Sequence, residues 1–138
     1  MTTNTPSRVA AILLWLEGCA VLALAVWQVF AAAGGDAGSF TSAIALIVLT
    51  VVAGVAVLAF GVGVWRAQSW GRSGGIVTQA LILAVALGAA TGAYAHPLTG
   101  LALAVPAAAA FVALVMSARR AGADARADAS GEPPAAER

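Results

Sequence analysis

The stretch FTSAIALIVLTVVAGVAVLAFGVGVW, residues 40–65, decides the fold, for it holds no charged side chain and no proline. Its apolar residues run continuously rather than alternating, which a half-buried strand would require. A hydrocarbon layer about 30 Å thick takes roughly 20 helical residues at about 1.5 Å each. Inside such a layer only helices and closed barrels satisfy their own backbone. Residues 40–65 therefore read as a transmembrane helix.

Three further apolar runs flank it, and together they predict helices over 9–33, 40–65, 74–95 and 98–118. The breaks between them are short: Gly34 to Ser39, Arg66 to Ser73, and His96-Pro97. Short breaks rich in Gly, Ser and Pro imply antiparallel neighbours. Pro97 suits the first turn of the fourth helix, where a missing N–H costs nothing. Pro106 lies inside that helix and predicts a kink that frees the carbonyl of Ala102. The predicted fold class is all-α, a polytopic membrane protein folded as an antiparallel four-helix bundle. Its domains are an N-terminal segment 1–8, the helical domain 9–118, and a tail 119–138 that has too little to bury and is expected to be disordered.

Composition agrees. The chain is 62% hydrophobic and 9% charged, with a mean hydropathy of +0.95, against roughly 45–50% apolar and about 25% charged in soluble domains. All basic side chains are arginine, and alanine, glycine and valine dominate, as in the proteins of a high-GC bacterium. Cys19 is the one cysteine, so there is no intrachain disulfide and no CxxC motif. Arg8, the apolar run and Ala31-Ala32-Ala33 imitate a secretory leader. The apolar region is too long for one, however, and contains Glu17, so it reads as a retained first span.

The arginines orient the bundle. Arg8 precedes helix one, Arg66 and Arg72 lie between helices two and three, and Arg119, Arg120, Arg126 and Arg138 follow helix four. The other side has only Asp36 and His96. By the positive-inside rule, both termini and the middle loop are cytoplasmic, with Arg8, Arg66, Arg72, Arg119 and Arg120 as basic anchors. Trp65 and Trp70 then mark the cytoplasmic interface, and Trp27, Phe30, Phe40 and Tyr94 the outer one. Trp15, Phe60 and Phe111 read as packing or lipid-facing residues.

Two constellations stand out within the spans. Ala80, Ala84, Gly88 and Gly92 recur at four-residue spacing on helix three, a row of small side chains that lets another backbone approach. The weaker pairs Thr50 with Gly54 and Ala59 with Gly63 lie on helix two. Glu17 is the one ionisable residue well inside a span, where insertion scales charge about 2.5–3.5 kcal/mol for an acidic residue at the helix centre. Gln28, eleven positions on, falls within about 20° of the same face at about 100° per residue. Gln79, beside Thr78 near the start of helix three, completes a candidate intramembrane polar site of Glu17, Gln28 and Gln79. Glu17 has three readings: a structural hydrogen bond to another helix, a proton- or cation-binding group in a transport path, or a contact with a partner subunit.

Other chemistry has no sequence signature. There is no Ser/His/Asp arrangement, no HExxH, no phosphate-binding glycine loop and no basic patch interleaved with aromatics for nucleic acid. Gly71 to Gly75 reads as a turn, and His96 as a solvated loop residue. No metal, cofactor or catalytic residue is expected.

The segment Arg66-Ala67-Gln68-Ser69-Trp70-Gly71-Arg72-Ser73, continued by Ile76-Val77-Thr78-Gln79, resembles one found in small four-helix membrane proteins of high-GC actinobacteria, as does the Leu16-Glu17 pair in helix one. The resemblance implies a multi-pass plasma-membrane protein and lends no activity. The chain also resembles small multidrug resistance transporters, which have four short helices and an essential membrane-embedded glutamate in the first. Glu17 stands in that place. The chain departs from them in lacking a tryptophan motif in residues 74–94 and in having every arginine on one side. The expectation is a small non-enzymatic membrane protein that packs against other membrane subunits or a second copy of itself. The alternative is a proton-coupled transporter component using Glu17.

Overall fold

The structure, a computed structural model, describes residues 5–35, 38–93 and 95–131. Four helices follow one another: α1 Thr5–Ala33, α2 Phe40–Trp65, α3 Ser69–Thr91 and α4 Pro97–Ser130. All four are long and apolar enough to cross a membrane. The expected Asp36 and Tyr94 positions lie outside the described residues.

α1 and α2 form one hairpin and α3 and α4 another; α1 closes against α4, and α2 against α3. The buried hydrophobic cluster lies in the half of the bundle that holds the start of α1 and the α2–α3 turn. Ala10, Ala11, Leu14, Val57, Val64, Ala113 and Leu114 meet there, with Phe60 and Ile76 packed on them. Three of the seven are alanine, and the glycines Gly54, Gly61, Gly63, Gly71 and Gly75 are buried as well, so the helices approach closely at these points. The large apolar side chains face outward instead: Leu98 is 83% exposed, and Trp27 and Phe30 are each 70% exposed. A water-soluble domain rarely presents so continuous an apolar exterior.

The third helix departs from expectation at both ends. It starts at Ser69, so Gly71 to Gly75 is helix rather than turn. Glycine is a poor helix former, but here contact with α2 overrides propensity. A Cβ on Gly71 would lie 2.6 Å from the Gly63 carbonyl carbon and from the Val64 nitrogen. The helix ends at Thr91, with Gly92 in extended backbone beyond it. The turn from α2 to α3 is thereby only Arg66–Gln68. It closes as a Schellman motif: Gln68 N–H donates to the Gly63 carbonyl at 2.9 Å, and Ala67 N–H to the Val64 carbonyl at 3.0 Å.

Ala67 occupies the left-handed position of that motif, with φ +58, where glycine is usual. Its carbonyl accepts a hydrogen bond from Arg72 Nη1 at 2.9 Å, which ties the turn to α3. Left-handed backbone costs a residue with a Cβ about 1–2 kcal/mol. Glycine's greater chain entropy, about 0.5–1 kcal/mol, offsets part of any gain. Ala67→Gly is expected to raise thermal stability slightly, by no more than about 1 kcal/mol; a fall on melting in detergent would contradict the strained-turn reading.

α4 is also longer than expected. Residues 119–130 are helical rather than disordered, and Gly131 ends the helix in left-handed conformation at φ 63. Alanine at every second position from Ala121 to Ala129, with Arg119, Arg120 and Arg126, favours helix, and the helix enters this stretch already nucleated by its apolar part. Residues 132–138 lie outside the described residues. Pro97 opens α4 as expected, and the helical run passes through Pro106 without interruption.

Candidate functional site

Glu17 on α1 and Gln79 on α3 come together across the bundle interior. Gln79 Nε2 donates a hydrogen bond to Glu17 Oε2, between helices that are not sequence neighbours. Gln79 is fully buried, at 0% exposure, whereas Glu17 is half-buried. The glycines before Gln79 explain its position. Gly71 lies against the α2 backbone, and a Cβ on Gly75 would meet Leu114 at 3.0 Å and Leu14 at 3.4 Å. Gly71, Gly75 and Gln79 follow at four-residue spacing on one face, so the missing side chains draw α3 inward and the amide reaches α1. Gly18, next to Glu17, gives α2 equal access: its Cβ would lie 2.7 Å from the Leu58 side chain.

The pair leaves one group unsatisfied. Gln79 Oε1 is buried and has no hydrogen-bond partner among the described residues. An orphaned amide oxygen costs about 1–3 kcal/mol of desolvation. The buried Oε1 of Gln28 is likewise unpartnered. Gln28 stands about 16 Å along α1 from Glu17 at about 1.5 Å per residue, so it does not join the pair. Thr78 bonds within its own helix, to the Gly74 carbonyl at 2.9 Å, and takes no part either.

The small-residue row on α3 does not pack inside the bundle. Ala80, Ala84 and Gly88 all point outward, and nothing lies within 4 Å of where a Gly88 Cβ would be. Gly92 falls beyond the helix end and out of the row. The packing face is rotated by about 100°, the angle of one residue, to Gly71, Gly75 and Gln79. On α2, Gly54 of the weaker sequence pairs does pack, on Leu22, whereas Gly61 on Trp15 has no such signal in the sequence. Buried Ser117 is a second contact without a sequence reading, although Ala107, Ala110, Leu114 and Ser117 follow the three-four spacing of a helix seam.

The five basic anchors lie at the end of the bundle that holds the main core. Arg8 stands 5.7 Å above the ring of Trp65, which stacks on Trp15 at 5.4 Å, and Phe60 meets Trp70 edge-on at 6.1 Å. Arg66 caps α2, Arg72 holds the turn, and Arg119 and Arg120 are exposed on α4. Among the described residues, no three His, Cys, Asp or Glu side chains gather as a metal site would require. Comparison of the chain with protein-family models, curated proteins and solved structures finds no match.

Proposed function

We propose that the chain is a small non-enzymatic subunit of a bacterial plasma membrane, crossing it four times with both termini cytoplasmic and joining other membrane proteins or a second copy through the outer face of α3. The observation that carries this reading is the uncovered row Ala80, Ala84 and Gly88. In lipid, a helix gains little from apolar burial alone, and small side chains are what let a second backbone come close. The resemblance to small actinobacterial membrane proteins supports the location, and the one-sided arginines support the orientation. Gly88→Leu is expected to leave the melting temperature of the detergent-solubilised bundle unchanged while removing the associated partner or second copy from mild-detergent preparations read by mass spectrometry. An assembly that survives the substitution would refute the α3 interface.

Orientation has its own test. In a Cys19→Ser background, Ser39→Cys is expected to react with an impermeant thiol reagent on intact cells, and Ser69→Cys only after lysis. The opposite pattern would reverse the topology.

A second reading, proton-coupled transport through Glu17, is favoured by one observation. Gln79 Oε1 has no partner beside a half-buried carboxyl, so the polar pair has capacity to take up a further hydrogen-bonded group.

A further inference from the structure

The packing register brings arginines of α1, α3 and α4, and Arg66 just past the end of α2, to one height. Gly75 of α3 faces both Leu114 of α4 and Leu14 of α1, so these three residues mark one layer of the bundle. Moving from that layer toward the termini, Arg72 is three residues from Gly75, Arg119 and Arg120 are five and six from Leu114, and Arg8 is six from Leu14. On α2, Gly61 packs on Trp15, next to the layer, and Arg66 follows five residues later. At about 1.5 Å per residue, the five backbones lie about 4.5–9 Å beyond the layer, in a band about 5 Å deep.

Contacts already described link three of them. Arg8 rests on Trp65, the neighbour of Arg66, and Arg72 reaches the carbonyl of Ala67. Among the described residues no carboxylate shares the band: Glu17 lies on the far side of the layer, and Asp124 is ten residues beyond Leu114, about 15 Å away. No ion pair engages the five guanidiniums among the described residues. Each guanidinium has five N–H donors, and the contacts above use few of them.

From this juxtaposition we infer that Arg8, Arg66, Arg72, Arg119 and Arg120 form a collar that binds the phosphate groups of anionic phospholipids. The inference rests on the membrane reading above and goes beyond it, because topology requires only that positive charge stay on one side. Trp65 and Trp70 stand in the same band, where their rings fit the headgroup level. Guanidinium forks bind phosphate oxygens two at a time, and a basic cluster at the membrane edge attracts anionic lipid.

The protein is first reconstituted into vesicles of phosphatidylcholine, with and without phosphatidylglycerol. Detergent-purified protein is then offered equal amounts of both lipids, and the retained lipid is counted by native mass spectrometry. Phosphatidylglycerol is expected to be retained in preference. Arg119→Gln/Arg120→Gln is expected to weaken that retention by about tenfold, and Arg66→Gln to weaken it less. Arg126→Gln, outside the band, should leave it unchanged, and millimolar inorganic phosphate should not displace the lipid. Equal retention of the two lipids, preference that survives the double substitution, or displacement by inorganic phosphate would each overturn the collar. Protein that enters both kinds of vesicle without preferring phosphatidylglycerol defeats the collar alone, whereas protein that enters neither defeats the membrane reading as well.

Discussion

Gly71→Ala is expected to destabilise the bundle by about 2–3 kcal/mol, and Gly71→Leu to prevent recovery of folded protein, although each changes a single position. The added Cβ would stand 2.6 Å from backbone atoms of Gly63 and Val64, and backbone cannot rotate aside as a side chain can. The two helices must separate by about 1 Å to restore ordinary contact, since carbon atoms sit best about 3.5–4.0 Å apart. That separation loosens the Schellman turn, because Gly63 and Val64 supply its two acceptors. It also draws Gln79 away from Glu17. Gly88→Ala is the control from the same helix. With nothing within 4 Å of its Cβ position, alanine there should be neutral or stabilising by about 0.5–1 kcal/mol through helix propensity. Thermal melts of the two variants in one detergent check both signs. Similar melting temperatures would mean that α2 and α3 do not meet through Gly63 and Gly71.

The second large effect concerns the polar pair. Gln79→Ala is expected to cost about 2–5 kcal/mol, since it opens a cavity at a fully buried position and leaves the Glu17 carboxyl unpaired. Glu17→Ala should cost less, about 1–2 kcal/mol or below, because its site is half-buried and interhelical hydrogen bonds in membranes are modest. Glu17→Gln retains a hydrogen-bond acceptor for Gln79 Nε2 and adds a donor that can reach Gln79 Oε1, so it should be tolerated. A double-mutant cycle over the two positions isolates the coupling, expected at about 0.5–2 kcal/mol. The same variants decide between the readings of Glu17. In proteoliposomes under a pH gradient, the structural role predicts no proton movement in wild type. Wild-type flux that vanishes in a well-folded Glu17→Gln protein would establish the transport reading instead, because an amide does not release a proton near neutral pH.

The four helices could be read from the sequence because length and continuous apolarity are local properties, and the α2 boundaries at Phe40 and Trp65 match the expected ones. The packing faces were harder to read. Hydrophobic periodicity identifies a buried side when the other side is polar; here both sides are apolar, so only small residues carry information, and an alanine-rich helix has them everywhere. Ala80, Ala84 and Gly88 form the more regular row, yet Gly71 and Gly75 make the contacts, in a glycine-rich stretch that reads as a turn because glycine normally ends helices. Glu17 and Gln79 were legible as polar residues in apolar runs. Their meeting was not, since it depends on which helices lie diagonally opposite. The helix beyond Arg119 was missed for another reason: lack of anything to bury argues against a free helix, but not against one extended from a span already formed.

That extension makes α4 a lever as well as a packing helix. Its 34 residues amount to about 51 Å of unbroken helix at about 1.5 Å per residue, well over the roughly 30 Å of a hydrocarbon layer. The stretch beyond Arg120 stands as a stiff rod, and the same helix carries Leu114 against Gly75, which also faces Leu14. A sideways force at the Ser130 tip therefore arrives as a torque on the layer beneath Glu17 and Gln79. Hydrogen-bonded helix bends little over so few turns, so the motion is not dissipated along the way. Cleaving the rod near Gly122 would uncouple the tip from the polar pair without touching any contact inside the bundle.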